Sequence, residues 1–391
     1  MKTAFKLAYR NLVGAGLRTW LNVIVLSFSF VVIIWMKGLL AGWDRQAKID
    51  MIRWEIGSGQ IWHQSYDPFD PFSLQDAHGR IPDSLATPVQ NKVIVPVLIS
   101  QGTIYPSGRI QSVMIKGIDA KQNLLALPTE KFDTACGAIP AIIGENMARS
   151  TKLKAGDYTT LRWRDANGTF DATEICIAAV FKSNVPSVDV GQVWIPLDTL
   201  QRMLGMPGEA TLFTVKTPEL VVSPGPQWKR MPQKALVADL ESMIKTKSAS
   251  QSIFYIILLL LALLAVFDTQ VLSIFRRQKE IGTYVALGYT QSQVVWLFTL
   301  EGAMHAVLAA VLATIYGLPF FIWQAQTGFK LPVNGGDYGI AIADTLYPVY
   351  SAGLVMSTTL LVLLTTALVS YWPSRKIARL KPTEALRGKL Q

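Results

Sequence analysis

The stretch FRRQKEIGTYVALGYT (275–290) decides how this chain is read. An apolar run of membrane-spanning length precedes it and another follows. Between them stand Arg276, Arg277, Lys279 and Glu280, then Ile281-Gly282 and Ala286-Leu287-Gly288. The basic cluster anchors a helix end at an anionic inner leaflet. Gly288 is suited to turn the chain, and Thr290 or Ser292 to cap the helix that follows. A short helix, a break and a re-entering span thus hold a small apolar knob out of the membrane. A solvated connection has no use for such a knob, whereas a partner with a matching groove does.

Working outward, 391 residues that are 50% hydrophobic are too apolar for an ordinary soluble chain and too polar for one lying wholly in lipid. The net charge of +10 fits basic flanks on the cytoplasmic face rather than nucleic acid, for which the sequence carries no signature. Four runs reach the roughly 20 residues that cross a bilayer, placed at 17–40, 252–275, 293–321 and 349–372. The first is too long, and lacks the small-residue cleavage site, to be a removable leader. Lys2, Lys6, Arg10 and Arg18 precede the first run, and Arg375, Lys376, Arg379, Lys381, Arg387 and Lys389 follow the fourth. The connection at 322–348 has only Lys330 against Asp337 and Asp344. Both termini and the coupling stretch 276–292 are therefore expected in the cytoplasm, and 41–251 outside it. Trp20, Trp43, Trp296, Trp323 and Trp372 bracket the spans as interfacial indoles do.

The expected fold class is a membrane protein: four transmembrane α-helices with a large mixed α/β extracytoplasmic domain between helices 1 and 2. Residues 1–16 form either an interfacial amphipathic helix, with Lys2, Lys6 and Arg10 on one face, or a plain extension of the first span; 373–391 are a basic tail. Within 41–251, strands are expected at 92–100, 112–118, 159–163 and 174–181, the last two joined through Asn167-Gly168. Helices are expected at 144–153, 197–204 and 232–246. Cys136 and Cys176 fall in this domain, as a disulfide in an oxidising compartment or as two buried thiols.

No Walker A pattern is present. His63, His78 and His305 do not form a metal-spaced set, and no serine stands in a nucleophile elbow. Asp268, Glu301 and His305 lie in or near the spans. Interhelical hydrogen bonding, or access to interfacial water near the cytoplasmic end, accounts for them more simply than a proton relay.

The quoted stretch resembles the "R-x-x-E-I-G-x-x-x-A-L-G" coupling loop of MacB/LolC/LolE/FtsX-type ABC permeases. Residues 8–12 with Arg18-Thr19 resemble the family's N-terminal "A-x-R-N-L…R-T". Residues 142–157 (IIGENMARSTKLKAGD) resemble its outer-domain motif, and 373–387 its C-terminal "P-A-x-x-A-A-R-L-x-P-V-E-A-L-R". The resemblance implies a non-catalytic permease subunit in the inner membrane, paired with a second permease and seated on a dimer of separate ABC ATPase subunits. ATP and Mg would be bound by those subunits and no cofactor by this chain. Arg276, Arg277, Glu280, Ile281, Gly282, Ala286, Leu287 and Gly288 would contact the ATPase and transmit its closure to the outer domain. The long outer segment and the missing Walker motif favour the lipoprotein-releasing LolC/LolE-like branch. Its amphiphilic substrate would enter between first spans, along Phe28, Phe30, Val31 and Ile34, and a periplasmic chaperone or adaptor is a further partner. Two alternatives remain open: an efflux permease with a periplasmic adaptor, and an FtsX-like coupler that activates an enzyme outside. Met114 to Asp119 fit the family only loosely, and no chaperone-docking hook is identifiable.

Overall fold

The computed structural model describes residues 17–218, 224–330 and 345–375. The N-terminal segment 1–16, most of the connection between the third and fourth spans, and the tail beyond Arg375 lie outside the described residues, as do the N-terminal motif at 8–12 and most of the C-terminal one. The described residues form two compact units, one of 17–42, 244–329 and 347–375, the other of 43–218, 224–243, 330 and 345–346.

The first unit is helical. Four helices among the described residues are long and apolar enough to cross a membrane: α1 (Leu17–Met51), α5 (Ala238–Arg276), α7 (Gln291–Thr327) and α8 (Ala352–Ser374). α1 and α5 outrun the expected spans because nothing stops them. The segment KTKSASQ (245–251) is polar but holds no Pro or Gly, so the helix expected at 232–246 divides into a short helix at Gln233–Leu236 and the first part of α5. α8 starts later than expected, at an Ser351 cap whose hydroxyl accepts from the Leu354 amide (3.2 Å). Val23, Leu26 and Phe30 of α1 pack with Leu263 and Val266 of α5, Ala306 and Ala309 of α7, and Val362 of α8. Trp20, Trp296, Trp323 and Trp372 are exposed, as an interfacial belt requires, but Trp43 is buried and does not belong to it.

The second unit is built on nine strands: β1 (Gly59–His63), β2 (Ile94–Ile104), β3 (Gln111–Ile118), β4 (Ile139–Gly144), β5 (Tyr158–Arg164), β6 (Phe170–Phe181), β7 (Gln192–Pro196), β8 (Leu212–Val215) and β9 (Trp228–Pro232). Helix α2 (Asp83–Gln90) precedes β2, α3 (Glu145–Thr151) follows β4, and α4 (Leu197–Leu204) follows β7. The strand order is β9-β1-β8-β2-β3-β7-β4-β6-β5, and a further pairing of β2 with β5 closes the last six into a ring. Strand alternation then decides the core. Each of the six sends two side chains inward: Leu98 and Ile104, Val113 and Ile115, Ala141 and Ile143, Leu161 and Trp163, Ile175 and Ile177, Val193 and Ile195. Leu200 and Leu204 of α4 and Met147 of α3 join the same core. Strand β2 begins two residues later than expected because Lys92, at φ 55°, closes the turn after α2. The Asn167-Gly168 turn forms as expected, with the Asp165 carboxylate accepting from the amides of Asn167 and Thr169.

Two details of this unit are testable. Asp189, fully buried, accepts from the Asn146 amide (2.9 Å) and side chain (2.6 Å) and from the Met147 amide (3.3 Å), satisfying the open start of α3. A Cβ on Gly144 would stand 1.8 Å from that carboxylate. Gly144→Ala is therefore expected to cost about 1–3 kcal/mol, read as a lowered midpoint in thermal unfolding. Gly137→Ala, with open space around it, leaves the midpoint unchanged.

The two cysteines are thiols in this structure, brought together because β4 runs beside β6, with Pro140 opposite Cys176. Burial, then the neighbouring Cys136 thiol, pushes Cys176 up to about 11. At pH 8 its thiolate fraction falls roughly 100-fold below that of an unperturbed thiol. Alkylation of Cys176 in the folded chain should be slow at pH 8 and quicken toward pH 11, measured by mass spectrometry of its peptide.

Candidate functional site

Helix α5 ends at Arg276. After one irregular residue the chain makes a second short helix, α6 (Gln278–Ala286). Its end is closed by backbone bonds from Leu287 to Thr283 (2.9 Å), Gly288 to Val285 (3.0 Å) and Tyr289 to Tyr284 (3.1 Å). Gly288 takes φ 95°, a conformation L side chains rarely adopt. Thr290 then opens α7 with a reciprocal cap: the Gln293 amide donates to the Thr290 hydroxyl (3.3 Å) and the Thr290 amide to the Gln293 side chain (2.9 Å). The short helix, the break and the cap read from the sequence are all present.

The structure divides the eight expected contact residues into two sets. Arg277, Ile281 and Gly282 turn inward. Ile281 packs with Ile274, Val294, Val295 and Phe298, with Tyr284 and Val285 alongside. The Arg277 guanidinium bonds both oxygens of Glu301 on α7 (2.8 and 2.9 Å) and one oxygen of Glu280 (2.7 Å), and lies over the Phe298 ring at 5.0 Å. Burial works against its charge, but the Glu301 and Glu280 carboxylates outweigh that and raise its pKa further. These three residues hold α6 to the helical bundle, Ile281 and Gly282 buried and Arg277 18% exposed. Arg276, Glu280, Ala286, Leu287 and Gly288 face outward. Leu287 is 72% exposed at the tip, next to exposed Tyr289, which the sequence reading did not single out. Lone apolar residues on a surface are ordinary; this one caps a helix whose other face is clamped.

Glu301 accordingly has an interhelical partner, as its hydrogen-bonding reading requires. The signal for the pair was a single acid in an apolar helix, 24 residues after an arginine. His305 bonds only carbonyls of its own helix, Glu301 at 3.2 Å and Gly302 at 3.3 Å. Asp268 is exposed on α5.

The first-span residues expected to line an entry for substrate do not act as a set. Phe30 and Val31 are buried in the core of the helical unit, Ile34 is buried as well, and Phe28 faces outward. The outward face of α1 is Leu21, Ile24, Val25 and Phe28. Among the described residues no group of His, Cys, Asp and Glu is arranged to hold a metal ion.

An arrangement of spanning helices around a short projecting helix defines a class, and comparison with known proteins agrees. Residues 252–382 match the family described as FtsX-like permease C-terminal. The chain is also similar to the macrolide export ATP-binding/permease protein MacB of Sodalis glossinidius (strain morsitans), 27% identical over 131 residues. That alignment covers 33% of this chain and 18% of the relative, so most of the relative's length has no counterpart in it. Together these findings support a permease of the MacB/FtsX type: an FtsX-like permease C-terminal domain occupies residues 252–382, and four helices among the described residues are long and apolar enough to fit a membrane protein.

Removing one partner of a buried ion pair leaves the other charge uncompensated. Arg277→Met is expected to destabilise the helical unit by on the order of 3 kcal/mol, and Arg277→Met with Glu301→Leu to recover part of that loss. Thermal unfolding of the purified chain in detergent measures both.

Proposed function

We propose that this chain is the membrane subunit of an ABC transporter that couples ATP hydrolysis by a separate ATPase subunit to work done outside the membrane. In this reading the termini and α6 are cytoplasmic, and the β-rich unit is extracytoplasmic. The chain contributes no catalytic group, and ATP and Mg are held by the ATPase dimer. The observation that carries the reading is the exposed Leu287 tip on a helix fixed to α7 by Arg277 and Glu301. A push on that tip is delivered to a transmembrane helix rather than absorbed by a loose connection.

The work outside is the extraction or export of lipoproteins or another amphiphile, as in the LolC/LolE-like branch that the sequence resembles. A second permease chain completes the assembly. The exposed carboxylate of Asp268 on the apolar α5 face, near Leu261 and Leu264, supports this, because lipid alone solvates a carboxylate poorly. A periplasmic chaperone or adaptor would receive the cargo. The MacB likeness favours, as the second reading, an efflux permease that works with an adaptor.

Leu287→Asp tests the coupling. With its side chain largely in solvent, the variant should fold normally while its affinity for the ATPase falls about 30-fold, the scale of losing one interface hot spot. Pull-down of the ATPase and its stimulated turnover measure this. Unchanged capture and stimulation would refute the reading. Mass spectrometry of the wild-type complex then separates the cargo readings, acylated proteins marking lipoprotein release.

A further inference from the structure

The interior of the closed ring of strands is filled, so any ligand of this unit must bind on its outer surface. There lies a groove of about 680 Å³ between the loop at 66–75 and the β5–β6 hairpin. Its volume falls in the range of small-molecule sites. Pro71 forms one wall, fixed because the Gln101 side chain donates to the Pro71 carbonyl (2.8 Å). Phe170 forms the other and is 61% exposed. The floor carries Gln101, Thr103 and Met114.

Charge and polarity select the occupant. Arg162 and Arg164 both line the groove, two residues apart on one face of β5 and therefore roughly 7 Å apart along the strand. No Asp or Glu lines it, and among the described residues neither guanidinium is in an ion pair. Arg162 instead stacks on the Phe170 ring at 4.5 Å, which holds a cation beside an apolar face.

The wall at Pro71 belongs to a tandem repeat, Asp67-Pro68-Phe69 and Asp70-Pro71-Phe72. In each half the aspartate side chain accepts from the phenylalanine amide, at 2.9 and 3.0 Å. The loop is thus a pair of locked Asx turns that hold two phenylalanines, each 80% exposed, on either side of the wall residue. Exposed aromatic rings held at such a rim mark a contact site for apolar matter.

We infer that this groove binds an anionic amphiphile, its phosphate or carboxylate headgroup against Arg162 and Arg164, and its chain along Phe170 and the Phe69–Phe72 rim. The inference deepens the amphiphile reading above and rests on it for the identity of the cargo. Binding would need no ATPase.

The test is calorimetric titration of the complete chain, purified in the uncharged detergent dodecyl maltoside, with monomeric dihexanoyl phosphatidylglycerol. Two further titrants are dihexanoyl phosphatidylcholine, with the same chains and no net charge, and glycerol 3-phosphate, without chains. The phosphatidylglycerol should bind at least 10-fold more tightly than either. Arg162→Gln with Arg164→Gln should abolish that preference, Arg162→Lys should retain most of it, and Phe170→Ser should weaken binding several-fold. Equal affinity for the two lipids, or an unaltered preference in the double variant, would mean partition into the micelle and overturn the inference. Glycerol 3-phosphate binding as tightly as the lipid would overturn it in favour of a site for free anions, and a hexaglutamate peptide binding more tightly in favour of an acidic protein partner. Should the double variant not fold, the three titrants and Phe170→Ser decide alone. No ATPase is present, so failure here leaves the Leu287→Asp experiment standing, and failure there leaves this one.

Discussion

The pairing of Arg277 with Glu301 fixes what the rest of the helical unit presents. A carboxylate within an apolar helix is tolerable only with a partner, and the partner comes from the first residue after α5. Meeting Glu301 turns Arg277 inward. In a helix the residue four positions on follows the same side, which places Ile281 in the cluster with Phe298, while Leu287, past the end of α6, is left exposed. Arg277, Ile281 and Gly282 therefore fix the helix, while Arg276, Glu280, Ala286, Leu287 and Gly288 form its surface. One ion pair accounts for both the clamp and the tip.

The β-rich unit meets a different constraint. A sheet that closes on itself must fill its interior with the inward half of every strand, and here two apolar side chains from each of six strands do so. Alternation sends Gln101, Thr103, Arg162, Arg164 and Gln192 to the outer surface, where loop 66–75 and the β5–β6 hairpin rise on either side of them. The same period of two that builds the core thus gathers the recognition chemistry outside it.

Which parts were legible in the sequence follows from the range of the forces involved. The spans, the Thr290 cap, the Asn167-Gly168 turn, and the helices at 144–153 and 197–204 are set by local pattern and were readable. Closure of the ring was not, because it depends on β2 meeting β5 at Gly102 and Trp163, 61 positions apart. Helix ends were misplaced where a polar stretch lacked a stop signal, as at 245–251. The short helix and its break at 278–288 were readable, but the division of its residues into clamp and surface needed Glu301, which lies beyond the motif. The DPFDPF repeat was not recognised, since its period of three is too short to register as an internal repeat and its meaning lies in side chain to backbone bonds.

The first span shows how a local pattern misleads when packing is unknown. Phe28, Phe30, Val31 and Ile34 look alike in an apolar run, and composition cannot rank them. Helical geometry turns each successive residue by about 100°, so Phe28 and Phe30 lie far apart around the axis and cannot line one surface. Packing with α5, α7 and α8 claims the side that carries Phe30 and Val31. What remains outward recurs at three- and four-residue spacing, Leu21, Ile24, Val25 and Phe28, a continuous stripe. Any amphiphile or neighbouring chain that approaches this helix from the bilayer meets that stripe.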